Sequence, residues 1–268
     1  MKSHFIFLIC VSFLYFSCTD VPKKVATTGT LERKALPYAN KDTIMPFHGL
    51  WVSKQYLDSL EDTKSPRKCQ QYGSIIWFPR RSLQTYVKGD LHSATEGKLV
   101  KDGYSFALCS TDLSSIKSYI IQLKHMKIMV DGVVYEKVAT DGEDSMDISK
   151  AIGMALFEGE YYTLFPQSDS APNDISFYNG KTVDGIGDYT EFTVRYDYMD
   201  EGLDVDEITF SNPDGKTITY GFKFDGVDIN MYKLKNIQYD SIEKRPLKVS
   251  FGKLKYTLTP LIGGGGCD

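Results

Sequence analysis

From Gly49 onward, apolar and polar residues alternate in short runs. Ile218, Tyr220, Phe222 and Phe224 share one side of such a run and Thr217, Thr219, Gly221 and Lys223 the other. That two-residue period is the pattern of a half-buried strand. Residues 189–198 repeat it, with Phe192, Val194 and Tyr196 opposite Glu191, Thr193, Arg195 and Asp197. Between the runs stand Asp102-Gly103, Asp131-Gly132, Asn179-Gly180, Asp214-Gly215 and Asp225-Gly226. These dipeptides suit type I′ hairpin turns, in which both central residues take positive φ. The pattern predicts an all-β chain: an antiparallel meander closed into barrel-like units, because closure removes unpaired strand edges.

Only two stretches carry a helical period. Residues 54–62 bring Tyr56, Leu57 and Leu60 together behind Ser53 as N-cap, and 145–156 space Ile148, Ile152 and Ala155 behind Ser145. Phe47-His48-Gly49-Leu50-Trp51 before the first strands recurs as Phe157-Glu158-Gly159-Glu160-Tyr161 after the second helix. The shared Phe-x-Gly-x-aromatic pattern marks the starts of two similar β-units, with one large barrel as the alternative.

The N-terminal pattern differs. After Lys2, residues 5–16 are apolar apart from Cys10 and Ser12. As a helix this run is about 18 Å long against a hydrocarbon core of roughly 30 Å, which is the layout of a signal peptide and too short for a permanent span. Residues 19–45 carry Lys23, Lys24, Gly29, Pro37 and Asn40 with almost no apolar period. They read as a flexible tether with a reach of about 30 Å. The expected organisation is a signal peptide at 1–17, a tether at 18–45 and a first β-unit at 46–144. A connecting helix at 145–156, a second β-unit at 157–262 and a tail at 263–268 follow.

Composition agrees with strands and excludes one partner class. Of 268 residues 13% are aromatic, with 18 Tyr and 15 Phe, ring types that pack well on a pleated surface. Net charge is −4 and the cations are scattered among acids, so no electrostatic footprint for nucleic acid exists. Beyond the signal only His48, His92 and His125 remain, and no zinc-protease, phosphate-loop or dinucleotide motif stands in its required context. Gly103-Tyr104-Ser105-Phe106-Ala107 is one residue short of a nucleophile elbow and reads as strand. The expectation is no catalysis, no cofactor and no metal. The acidic run at 197–207, with Asp197, Asp200, Glu201, Asp204, Asp206 and Glu207, is expected to be a solvated hairpin loop rather than a calcium site. Of the five cysteines, Cys10 leaves with the signal. Cys69 and Cys109 form the candidate disulfide, worth about 3 to 4 kcal/mol in the chain-entropy model, with isolated buried thiols as the equal alternative.

Two resemblances extend this reading. Ser17-Cys18 at the end of the apolar run resembles the lipobox of bacterial lipoproteins, although Tyr15 stands where the usual aliphatic residue would be and Leu14 lies one place further out. The resemblance implies cleavage before Cys18, acylation of that cysteine and a lipid anchor in the bacterial envelope, the outer membrane being the expected site. A cut by the ordinary signal peptidase is the alternative. Gly49-Leu50-Trp51 resembles the Gly-x-Trp signature of lipocalins and related calycin barrels. That resemblance implies a structural Trp51 closing the barrel bottom and an interior able to hold a small apolar molecule. From their strand settings Trp77, Tyr86 and Tyr104 are the candidate ligand contacts, with core aromatics and no ligand as the alternative. The functional expectation is a noncatalytic envelope lipoprotein whose barrel-like body binds a small apolar molecule, a glycan or a partner protein. A lipoprotein for envelope assembly or stress response, without a small-molecule ligand, is the alternative.

Overall fold

The computed structural model describes residues 47–80, 85–110, 118–123, 125–138, 146–164, 174–198, 203–240 and 245–261. Cys18 and the expected signal peptide, tether and tail lie outside the described residues. The chain forms two closed antiparallel barrels of eight strands each. In the first, β1 (Gly49–Ser53), β2 (Ser74–Phe78), β3 (Thr85–Asp90), β4 (Ala94–Asp102), β5 (Ser105–Ser110), β6 (Ser118–Leu123), β7 (Lys127–Val130) and β8 (Val133–Lys137) pair in sequence order. The ring closes where β1 meets β8, with Trp51 opposite Lys137. The second runs through β9 (Gly159–Leu164), β10 (Asp174–Tyr178), β11 (Thr182–Asp184), β12 (Glu191–Val194), β13 (Asp206–Ser211), β14 (Thr217–Asp225), β15 (Asp228–Asp240) and β16 (Arg245–Pro260). It closes where β16 pairs with β9.

Turn chemistry explains the hairpins, with one refinement. Asp131 and Gly132 both take positive φ (52° and 80°) between Val130 and Val133, the type I′ geometry expected of that dipeptide. At Asp102-Gly103 and Asp225-Gly226 the aspartate is still paired, to Ser105 and Asp228. The two loop residues are therefore Gly103-Tyr104 and Gly226-Val227, each opening on a glycine with positive φ as a type II′ turn requires.

Three short α-helices accompany the strands among the described residues. Helix α1 (Lys54–Thr63) is capped at its start by Ser53. Helix α2 (Pro66–Cys69) is a helix the periodicity misses, since one turn is too short to show a period. Ser65 as N-cap and Pro66 at the first turn were its signal. Helix α3 (Ile148–Phe157) takes Asp147 rather than Ser145 as N-cap.

The repeated Phe-x-Gly-x-aromatic segments occupy equivalent places. Gly49 and Gly159 open β1 and β9 with φ of 109° and 145°, which other residues rarely adopt. The phenylalanine two places earlier plugs its barrel. Phe47 meets the rings of Phe78 and Phe106 at 5.7 and 5.0 Å. Phe157 meets Phe177, Phe192 and Phe222 at 5.5, 5.9 and 5.1 Å.

Each barrel axis is filled by side chains, as expected for eight strands. Ile76, Tyr86, Leu99, Leu108, Ile128 and Tyr135 pack inside the first around Trp51. The core of the second continues outward through Ile152 and Leu156 of α3 and Tyr56 and Leu60 of α1 to Leu50, Val52 and Ile75. Those last three lie on the outer side of β1 and β2, whose other side faces the first barrel's interior. The first barrel's outer side thus packs on the cluster that fills the second barrel, while its own interior forms a separate core.

Candidate functional site

The acidic run of 197–207 is where the structure departs most from expectation. Asp206 and Glu207 are buried in β13, not solvated. Asp206 accepts a hydrogen bond from the Ser65 hydroxyl at 2.6 Å and another from the Arg67 backbone N–H at 2.9 Å, both across the seam between barrels. Burial pushes its carboxyl above the usual value, against the pull of those donors and of the Arg67 and Lys68 charges. Asp206 falls in phase with Ile208 and Phe210, and that parity was the available signal of burial.

Next to it, Glu207 accepts from the Arg195 guanidinium at 3.1 Å, while Arg195 Nε donates to the Asp197 carbonyl at 3.0 Å. The Tyr198 hydroxyl donates to the Arg195 carbonyl at 3.3 Å and accepts from the Glu207 N–H at 3.1 Å. Arg195 also lies 5.4 Å from the Tyr198 ring centre. Tyr198, Leu203 and Val205 are covered by Val249 of the long β15–β16 hairpin. Arg195 is held by fixed partners on three sides, so its position is set before any ligand arrives.

This arrangement forms one wall of an open groove of about 530 Å³. Thr193 and Thr209 extend the same outer face of β12 and β13, and Asp147 and Ser149 close it at the start of α3. Ser149 is tied to the sheet by accepting from the Val194 N–H at 2.7 Å, and Asp147 caps α3 by accepting from the Lys150 N–H at 2.9 Å. Tyr196 lines the groove with them. Burial first, then the charges of Asp197 and Asp147, push its hydroxyl above the usual tyrosine value. A smaller hollow of about 120 Å³, lined by Gln70, Gln71, Gly73, Asp90, Leu91 and His92, belongs to the first barrel. His92 Nδ1 lies 2.9 Å from the Asp197 carboxylate, so this pair joins the two hollows across the seam.

The residues singled out in the sequence do not converge. Trp51 is 3% exposed inside the first barrel, where its indole N–H donates to the Phe47 carbonyl at 2.7 Å. The Lys137 ammonium stands 5.9 Å from its ring centre. Tyr86 is buried in the same interior, its ring pressed on Gly97, where a Cβ would come within 2.4 Å. Trp77 is half-buried on the outer side of β2, against the core at the seam. Tyr104 stands wholly in solvent at the β4–β5 turn, with 106% relative exposure. Strand parity and a turn thus send the three candidate ligand contacts in three directions. Cys69 and Cys109 are both buried free thiols, so the candidate disulfide is not formed. Cys69 packs in the core between the helices and the second barrel, and Cys109 in a separate cluster with Val100 and Ala107. Of the groove residues, only Asp197 and Glu207 were singled out from sequence, and those as acids of a solvated loop; Thr193 and Arg195 read only as the polar side of a strand.

Comparison with protein-family models, with curated proteins and with solved structures returned no match.

Proposed function

We propose that this chain is a lipid-anchored protein of the bacterial envelope, acylated on Cys18, and that its twin barrels form a noncatalytic body that binds a glycan in the groove beside α3. One observation carries the choice of ligand. Around the half-buried Tyr196 ring the groove gathers the carboxylates of Asp147 and Asp197, the hydroxyls of Ser149 and Thr193, and the prearranged Arg195. Sugar hydroxyls are both donors and acceptors, and a mixed set of carboxylate, hydroxyl and guanidinium groups answers both. A ring with one apolar side complements the C–H face of a pyranose. The barrel interiors favour this outer site, because a small apolar guest inside would have to displace close-packed rings such as Phe157, Phe177 and Phe192. The partner-binding alternative draws support from Tyr119 and Ile121, which stand 47% and 50% exposed on β6.

Two measurements test the reading. Intact-mass analysis of the chain from its host's membrane fraction is expected to find a chain starting at acylated Cys18, and an unmodified Cys18 overturns the anchor. Calorimetric titration with soluble envelope and plant oligosaccharides is expected to give binding that Tyr196→Ala or Asp197→Ala weakens by about tenfold. Absence of binding across the panel, or equal binding by both variants, overturns the glycan site.

A further inference from the structure

The up-and-down order of the first barrel collects one set of connections at one end: the entry to β1, the turns after β4 and β6, and the exit from β8. Tyr104 and Met126 project from the two turns, with relative exposures of 106% and 64%. Leu123, the last residue of β6, adds 39% beside Met126. The turn after β6 is also strained. His125 and Met126 take φ of 61° and 56°, a region in which a bulky non-glycine residue is rare. The Lys137 N–H holds this turn by donating to the Met126 carbonyl at 3.2 Å. A large apolar side chain is thus fixed outward on a strained backbone, at a place where a glycine or asparagine would sit more easily.

The charge at this end is positive. Arg80 and Lys101 are exposed there, after β2 and near the end of β4. Lys127 is paired with Glu136 at 2.6 Å. Burial, then the charge of Arg80, holds the Lys137 ammonium below its usual value, which places two cations near one another. Asp102 is engaged by the Tyr119 hydroxyl at 2.9 Å. The other prominent apolar tip, Val227 of the second barrel, is 67% exposed but is flanked by Asp225 and Asp228. Basic surroundings thus distinguish the first barrel's end from an ordinary exposed hairpin tip.

We infer that this end of the first barrel rests on a lipid surface. Tyr104 and Met126 sit in the interfacial layer, where a ring with a polar tip and a flexible thioether chain are both accommodated, and Arg80 and Lys101 meet anionic head groups. Covalent order agrees with this placement. Phe47 enters β1 at the same end, so the segment that carries Cys18 joins the barrel on the side said to face the bilayer. The inference rests on the lipid-anchor reading only for what brings the barrel to the membrane.

The test uses the full chain on vesicles of phosphatidylethanolamine and phosphatidylglycerol with brominated acyl chains, which quench tryptophan within the bilayer. Tyr104→Trp and Met126→Trp are each compared with Val227→Trp, above the background of Trp51 and Trp77. Residues 104 and 126 are expected to be quenched roughly threefold more than residue 227, and Arg80→Glu with Lys101→Glu is expected to remove about half of that excess. Equal quenching at all three positions, or none, overturns the inference. Acylated chain that pellets with the vesicles without differential quenching leaves the anchor standing and removes the docking end. Differential quenching by a chain that mass analysis finds unacylated does the reverse.

Discussion

Asp206 on β13 accepts the hydroxyl hydrogen of Ser65 at 2.6 Å across a sequence separation of 141 residues. The same carboxylate caps α2 through the Arg67 N–H, so one side chain fastens the first barrel's helical insert to the second barrel. Asp206→Ala strands both donors in a buried seam and is expected to lower stability by about 2 to 3 kcal/mol in urea unfolding. Asp206→Asn keeps an acceptor for Arg67 and is expected to cost less. The sign of the pH effect separates charge from hydrogen bonding. Burial raises the folded value above 3.8, so the native state keeps a proton that the unfolded chain has lost. Stability relative to Asp206→Asn is therefore fully present below 3.8 and lost as pH rises through the folded value. A flat difference across that range would refute the burial argument.

Gly153 of α3 touches the turn after β10. A Cβ there would lie 2.1 Å from the Gly180 carbonyl oxygen. In a free helix Gly→Ala gains up to about 1 kcal/mol, but here backbone must move to admit the methyl group. Gly153→Ala is expected to lower the thermal midpoint, and a rise would show that α3 does not seat as described.

The two described thiols are chemically quiet. Burial first, then the charge of Asp206, pushes Cys69 up to about 11. Peptide mapping after alkylation of the native protein at pH 8 is expected to find Cys69 and Cys109 unmodified, and after unfolding to find both labelled without a reductant. A linked 69–109 peptide would contradict the packing.

Trp51 holds the entry to the first barrel through its indole hydrogen bond to the Phe47 carbonyl. Trp51→Phe keeps a ring but leaves that carbonyl unmet, and a loss of about 1 to 3 kcal/mol is expected in denaturant melts. Tyr161 occupies the matching place in the second barrel and has no such indole donor, so Tyr161→Phe is expected to cost less. Equal losses would mean that bulk, not the hydrogen bond, matters at both sites.

Much of the fold was legible because it depends on local rules. The alternation of Ile218, Tyr220, Phe222 and Phe224 reports a strand with one buried side, and those side chains line the second barrel's core. The glycine dipeptides mark hairpins, though which residues form the loop depends on where pairing stops, and that is decided by the partner strand. Helix α2 escaped notice because a single turn buries too little to leave a period.

The candidate groove was less legible. Tyr196 alternates with the buried Val194 in sequence and packs against the core accordingly; that it also borders the groove was not readable from its period. Asp197 reads as one acid among six until His92 from the other barrel is placed beside it.

By itself, then, the amino-acid order determined an all-β chain with two Phe-x-Gly-x-aromatic starts, because strand period, turn preference and glycine φ act within a few residues. Only the tertiary structure decided that the outer side of β1 and β2 packs on the second barrel's core, that Asp206 is buried across the seam, and that Trp77, Tyr86 and Tyr104 face three ways. Those outcomes depend on contacts between residues far apart in sequence, and no local preference records which distant side chain will meet another.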